Sequence, residues 1–405
     1  MQRMLRFPLV VATTLSSLTL PAQTVRVVGP GGFAQITTAI AAAANGDVLL
    51  VHSGNYEPFT LAKDLTITAA PGASVTVVPP FVGATLLQPP TRAAIVGLRF
   101  RPNQFLFHPV QVLSGHVTLN DCSFEGVPSP ATSLTVQNAA VAMQRCRIFG
   151  GAIPAVPTAA FTGGDAIAVL HGSLAAVDCE FRGGDLGWDF TSRGGHALRL
   201  DDAVVHLVRC TAIAGGNSSL ISIYPAGNGV HVATTSSVWI ADSVVRGGDG
   251  HATAGNDAIE NLGTTPVVTA RTTLQAGPGT PTGPVSTGPL ASGPLLGHGS
   301  TTAPLVLGQA WTLDYLAAPG TSVLVMFSDR LAVAAPTPLL AERAWLAPTN
   351  LAVAGLGITH ASGSLQLTLP LPATPALLHT TWFVQGVAGL SVPLAVSPPV
   401  GGVAR

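Results

Sequence analysis

From Leu98 onward a short pattern of an inward, a polar and an inward residue keeps returning: Leu98-Arg99-Phe100, Cys122-Ser123-Phe124, Cys146-Arg147-Ile148, Cys179-Glu180-Phe181, Cys210-Thr211-Ala212, Ser243-Val244-Val245 and Thr272-Thr273-Leu274. First residues of successive members stand 24, 24, 33, 31, 33 and 29 apart. Most members alternate with the period of a strand that has one buried face. A repeat of this length cannot bury that face alone, so each must stack on its neighbours. The pattern predicts a β-solenoid.

The segment before the repeats reads as strand, glycine turn, helix: Val25 to Val28, Gly29-Pro30-Gly31-Gly32, then Ala34 to Ala44 with Asn45-Gly46 as the stop. It lacks the glycine spacing of a dinucleotide loop and the Gly-Lys-Ser/Thr of a triphosphate loop. A helix capping one end of the stack fits better.

Three columns follow from the register. Cys122, Cys146, Cys179 and Cys210, the only cysteines, share one repeat position. Disulfides are the default in an exported chain. Rungs about 4.8 Å apart, however, hold parallel side chains beyond the usual bridging separation, which favours buried thiols. The residue before each member from the second onward reads Asp121, Arg145, Asp178, Arg209, Asp242, Arg271. These charges alternate in sign and are expected to face solvent, opposite over opposite. The third column is a corner that opens the later turns: Gly164-Asp165-Ala166-Ile167, Gly195-His196-Ala197-Leu198, Asn228-Gly229-Val230 and Asn256-Asp257-Ala258-Ile259.

At these corners the chain resembles the parallel β-helix repeat family of the pectin-lyase-like superfamily. Ile36 to Ala44, Gly46-Asp47-Val48-Leu49-Leu50-Val51 and Gly54-Asn55-Tyr56 are similar to that family's N-terminal coil. The resemblance runs from about Val25 to Ala276 and implies an all-β, right-handed parallel β-helix over residues 23–276, with an N-terminal capping helix. It does not specify an activity. Residues 277–304 are rich in Gly, Pro, Ser and Thr and are expected to be a linker or a capping excursion. Strand patterns resume at Ala310 to Leu316, Ser322 to Phe327, Ser364 to Leu369, Thr381 to Val387 and Leu390 to Val396. They predict a small antiparallel β-sandwich over 305–405, which resembles modules at the C-termini of secreted proteins of high-GC environmental bacteria.

Composition narrows the classes. Only 9% of residues are charged, while 45 are Gly and 33 Pro, which suits short strands and turns. Lys63 is the only lysine and no basic run exists, so nucleic acid is not an expected partner. Charges and prolines break every apolar stretch before it spans a bilayer. Residues 1–22 have the form of an export signal: Arg3 and Arg6, the apolar Phe7 to Leu20, then Leu20-Pro21-Ala22 before Gln23. A secreted, periplasmic or surface-located monomer is expected.

Candidate chemistry gathers where Gly183-Gly184-Asp185, Gly215-Gly216-Asn217 and Gly247-Gly248-Asp249 open loops at intervals of 32. Equal spacing puts these loops on one edge. They and the corners behind them carry Asp185, Trp188, Asp189, Arg193, His196, Asn217, Tyr224, Asp249, His251 and Asp257. Rings that stack on pyranoses beside carboxylates, amides and Arg for hydroxyls or uronates are the composition of a polysaccharide-binding surface. The alternative for each Gly-Gly-Asp is a turn the coil needs. An extracellular polysaccharide-binding or surface-structural protein is the first reading; an acidic-glycan lyase or hydrolase is the second, with Asp185, Asp189, Arg193 and Asp249 as catalytic candidates. Asp185 and Asp249, two rungs apart, would lie about 9–10 Å from each other along the stack, the upper edge for an inverting pair. A polygalacturonase-like set is missing, since Asp201-Asp202 and His171-Gly172 come in the wrong order. No paired metal motif occurs and no cofactor is expected; a structural Ca²⁺ across Asp185, Asn217 and Asp249 is the one metal option. His116, His206 and His231 fall within alternating strands and are expected to face solvent.

Overall fold

A computed structural model describes residues 24–404 except 79–83, 102–109, 127–130, 152–162, 186–193, 217–225, 251–254, 280, 294–296, 301–304, 330–338, 341–343, 345, 347–350, 375–376, 378–380, 390–393 and 398–399. The proposed export signal therefore lies outside the described residues.

The chain winds as a right-handed parallel β-helix with three parallel sheets, one of 11 strands and two of 9. One coil shows the plan. His116–Asn120 belongs to the first sheet, Ser123–Phe124 to the second and Leu134–Gln137 to the third. The chain then re-enters the first sheet at Ala140–Gln144, with His116 opposite Ala140 and Asn120 opposite Gln144. The expected register holds: Ser123 stands opposite Arg99 and Arg147, and Glu180 opposite Arg147 and Thr211. Inside, aliphatic columns and the stacked Phe100 and Phe124 rings, 4.9 Å apart, form one continuous core.

Helix α1 (Ile36–Ala42) closes the N-terminal end, burying Ile36, Ala39 and Ile40. Its C-terminal carbonyls face the only lysine of the sequence. Lys63 Nζ donates to the oxygens of Ile40, Ala41 and Ala43 at 2.8, 3.0 and 2.6 Å, a cation at the negative end of a short helix. Asp47 fastens the first strand: it accepts from Arg26 Nε at 2.8 Å and from the Ala44 and Thr24 amides.

All four cysteines are free and buried. Their shared position asks for a small donor that returns to the carbonyl two residues back. Cys122, Cys146, Cys179 and Cys210 do so with sulfur, and Ser243 and Thr272 with oxygen. Burial pushes the Cys122 and Cys179 thiols well above their ordinary pKa.

The Asp/Arg column occupies the single-residue corner between the first and second sheets. All six residues have positive φ, between 47° and 54°, and Gly97 opens the column at 74°. The charges resolve into bidentate pairs. Arg145 grips Asp121 at 2.7 and 3.0 Å, Arg209 grips Asp178 at 2.7 Å twice, and Arg271 grips Asp242 at 2.5 and 2.6 Å. A left-handed backbone costs a non-glycine residue about 1–2 kcal/mol, least for Asp. A partly exposed pair returns about 0–1 kcal/mol, so the pairs offset the strain incompletely and mainly select register.

Residues 277–304, expected as a linker or a capping excursion, carry strands of both units. Ser286–Thr287 and Leu290–Ser292 extend the third and first sheets, and Gly297–Ser300 pairs antiparallel with Ala310–Leu316. The C-terminal unit is a sandwich of a three-stranded and a five-stranded antiparallel sheet. Tyr315 of one packs over Gly386 of the other, where a Cβ would come within 2.4 Å of its ring. This sandwich covers the outer face of the first sheet. Val208, Trp239 and Ala241 share one buried cluster with Trp311, Leu313 and Tyr315, and Ala142 and Ala175 pack with Leu346 and Phe383. His206, expected in solvent, lies under this cover at 2% exposure beside the Trp239 ring. His116 and His231 are half-buried rather than solvated.

Two predictions follow from these contacts. Burial depresses the His206 pKa to about 3. Between that value and its unfolded pKa of about 6.5 the unfolded chain binds the extra proton, so stability is complete above that range and falls as pH drops through it. Denaturant titrations should show a slope approaching about 1.4 kcal/mol per pH unit from this group, and His206→Gln should flatten it. At the corner, Arg209→Gly exchanges an ion pair for relief of strain and should change stability by less than about 1 kcal/mol, whereas Arg209→Val should cost about 2 kcal/mol or more. Equal losses in both would refute this account of the column.

Candidate functional site

The loops leave the helix between the second and third sheets, and glycine dictates how. Amide hydrogen bonds run along this edge through Gly164 to Gly151, Gly184 to Gly164, Gly195 to Gly184, Gly215 to Gly195, Gly227 to Gly215 and Gly248 to Gly227, all at 2.9–3.0 Å. The ladder alternates between a bond that joins the two legs of one loop and a bond from the outgoing leg of the next loop to the returning leg before it, so every loop is pinched at its base. A Cβ on Gly183, Gly195, Gly215 or Gly227 would lie 2.0–2.1 Å from a carbonyl oxygen of a neighbouring leg. Gly-Gly is therefore a turn the coils need, and the side chains that follow it are placed by that constraint.

Asp185 and Asp249 emerge exposed from this edge. They flank Gly216, whose Cβ position lies 3.7 Å from Asp185 Oδ1 and 3.5 Å from Asp249 Cβ. Asp185 accepts from the Gly216 amide at 2.8 Å, and Asp249 pairs with Arg246 at 2.6 Å. Arg182 is exposed on the same sheet edge, two rungs from Arg246 in register. Trp188, Asp189, Arg193, Asn217, Tyr224 and His251 lie outside the described residues.

Two of the expected surface residues belong elsewhere. His196 is 1% exposed and Asp257 is 9% exposed, both in the corner that leads into the third sheet. The corner demands a side chain that bonds the backbone of the adjacent coil. Asp165 accepts from the His196 amide at 2.9 Å, and His196 Nδ1 accepts from the Asn228 amide at 2.9 Å. The column is thus a hydrogen-bonded spine.

Beside that spine, the outward row of the third sheet brings Arg199, His231, Glu260 and Thr287 into register. Arg199 Nε lies 3.2 Å from Asp165 Oδ2. His231 stacks on His196 with centroids 4.7 Å apart and pairs with Glu260 at 2.6 Å, while Asn228 donates to the same Glu260 oxygen at 2.5 Å. Burial raises the Asp257 pKa, and Glu260 adds to the rise against a hydrogen bond from Thr287. Asp165, Arg199, His231, Asn228, Glu260 and Asp257 thus form one partly buried acid–base face directly behind the loop bases. Of these residues only Asp257 was among the sequence candidates, with the buried His196 stacked beneath His231. The alternation of Leu198-Arg199-Leu200, Val230-His231-Val232 and Ile259-Glu260-Asn261 carried the missing signal. Among the described residues no group of three or more His, Cys, Asp and Glu side chains is placed to hold a metal ion. No described helix is long and apolar enough to cross a membrane.

No protein-family model matches the chain, and no curated protein matches it. Among solved structures it is similar to pectate lyase Pel9A, with 13% identity and a TM-score of 0.38 over 67% of this chain and 80% of that one. It is also similar to tailspike protein gp49 from Acinetobacter baumannii bacteriophage Fri1, a capsular polysaccharide depolymerase, with 9% identity, a TM-score of 0.20 and coverage of 89% and 72%. Tailspike protein 2 from Escherichia coli O157:H7 bacteriophage CAB120 gives 8% identity, a TM-score of 0.26 and coverage of 95% and 68%. These likenesses are distant, so the fold rests on this chain's own strand pairing and no activity passes from them.

The glycine ladder supplies the test for this subsection. Gly215→Ala should lower stability by about 2–3 kcal/mol or prevent folding, because the clash is with backbone that cannot turn aside. Gly46→Ala, whose Cβ would meet nothing within 4 Å, should cost only the backbone strain of its positive φ, about 1–2 kcal/mol. Thermal unfolding of the two variants compares them directly.

Proposed function

We propose that this chain is an extracellular polysaccharide-binding protein that holds an acidic glycan along the pinched-loop edge and the adjoining face of the third sheet. The observation that carries the reading is the juxtaposition of exposed Arg182 and the Arg246–Asp249 pair with the hydrogen-bonding row behind them. Guanidinium groups two rungs apart, about 9.6 Å, suit alternate carboxylates of a uronate chain, each bound through charge-assisted bonds. Trp188 and Tyr224 in the intervening loops would add ring stacking.

Arg182→Ala/Arg246→Ala should weaken binding to acidic polysaccharides by roughly tenfold or more, measured on a glycan array and then by titration. An array without acidic-glycan binding, or binding indifferent to these residues and to Trp188 and Tyr224, would sink the proposal.

A second reading, polysaccharide lyase or glycoside hydrolase, is favoured by one observation: the His231–Glu260 pair beside Asp257, whose raised pKa suits proton donation. Incubation with acidic polymers should then give new reducing ends or unsaturated products, lost in Glu260→Gln. Their absence across the panel leaves binding alone.

A further inference from the structure

A second groove runs along the opposite side of the third sheet, where each coil turns from the third sheet into the first. It encloses about 760 Å³ and spans the coils from Gly115 to Thr265. Five inter-coil steps of about 4.8 Å give it a length of about 24 Å. One rim repeats a polar side chain in every coil over most of that length: Asn138, His171, Asp202, Thr235 and Thr265. The first three have left-handed backbone, with φ of 52°, 50° and 46°, which turns the chain sharply at the rim. All but Thr265 are exposed. The floor is built of small residues, Gly115, Ala139, Gly172, Ala203 and Ser236. On the far side Val204 packs against the Leu346 and Phe383 cluster of the C-terminal sandwich.

Three properties define what fits. The polar rim repeats at the coil spacing, so its partner is a linear polymer lying along the axis. The backbone amides of the floor are already used: those of Ala140, Ser173, Val204 and Ser237 donate to Gly115, Ala139, Gly172 and Ala203. A peptide strand would therefore find no open ladder to extend. No Arg or Lys lines the groove, and its one carboxylate, Asp202, lies 3.3 Å from His171 Nδ1. Phosphate and uronate chains find no standing cation to pair with, since His171 already faces an aspartate and burial lowers the pKa of His116.

We infer that this groove is a second polysaccharide site, selective for an uncharged, hydroxyl-rich linear glycan. Small floor residues let sugar rings approach the backbone, while the rim supplies amide, imidazole, carboxylate and hydroxyl partners once per coil. The site is independent of the acidic-glycan surface at the loops, which lies across the third sheet from it.

Native affinity electrophoresis of the full chain through gels containing galactomannan, glucomannan or hydroxyethylcellulose, with polygalacturonate as the acidic comparison, tests the inference. At least one neutral polymer should retard the protein. His171→Gly/Asp202→Gly keeps the left-handed corners free of strain while removing two rim groups, and should weaken retardation on the order of fivefold or more. Ser237→Trp, at an exposed position of the groove, should block the channel with the rim intact. Arg182→Ala/Arg246→Ala should leave neutral-polymer retardation unchanged, which separates this site from the loop edge. No retardation by any neutral polymer overturns the inference, as does retardation that survives both groove variants. If the double glycine variant unfolds, Ser237→Trp decides alone.

Discussion

Everything in this molecule rests on the stacking of one coil on the next through three short parallel ladders. Each strand is only two to five residues long in the coils of the repeat, too short to be stable by itself. Its inward side chains are covered by the equivalent positions above and below. The same constraint makes each position answer to its own column. The donor position accepts Cys, Ser and Thr because all three can return a hydrogen bond to the carbonyl two residues back. The single-residue corner accepts Asp and Arg because opposite charges on adjacent rungs partly relieve a left-handed backbone. Columns, more than individual residues, are the units of sequence meaning in this fold.

The loop edge follows from the same geometry with one addition. An excursion must leave and re-enter within the thickness of a coil, so its two legs press against those of its neighbours. Only glycine fits where a Cβ would come within about 2 Å of a carbonyl. With its bases pinned, the edge places Asp185 and Asp249 on either side of Gly216 irrespective of what the loops themselves do. The glycine ladder thus gives this edge a fixed backbone floor.

Much of this was legible in the residues before any coordinates. The repeat gave the strands and their register, down to Ser123 opposite Arg147 and the alternating Asp/Arg pairs. Spacing does not report what covers the outer face of a sheet, and there the reading failed. Ala175, His206 and Trp239 share one outward row, and only the C-terminal sandwich explains why that row is apolar and why His206 is buried. The unalternating strands Ser173–Val177 and Val204–Val208 were the available signal, since a strand buried on both faces loses its period of two. His196 misled for a related reason. Its place after Gly194-Gly195 looks like loop, yet the backbone ladder turns it inward to accept the Asn228 amide. Residues 277–304 read as linker because Gly and Pro dominate them, but a parallel coil needs only two or three extended residues per face.

The cover on the first sheet also decides which faces of the β-helix stay open. A bare β-helix offers three faces to a long polymer. Here the sandwich takes one of them, using Trp239, Val208 and Ala142 that would otherwise be exposed apolar surface. Two surfaces flank the third sheet: the loop edge on one side, and on the other the groove from Gly115 to Thr265, beside which Val204 packs against the sandwich. The two differ in the chemistry of their polar groups. Arg182 and Arg246 mark the first, while no Arg or Lys lines the second. The sandwich thereby stabilises the face it covers and leaves both flanks of the third sheet open.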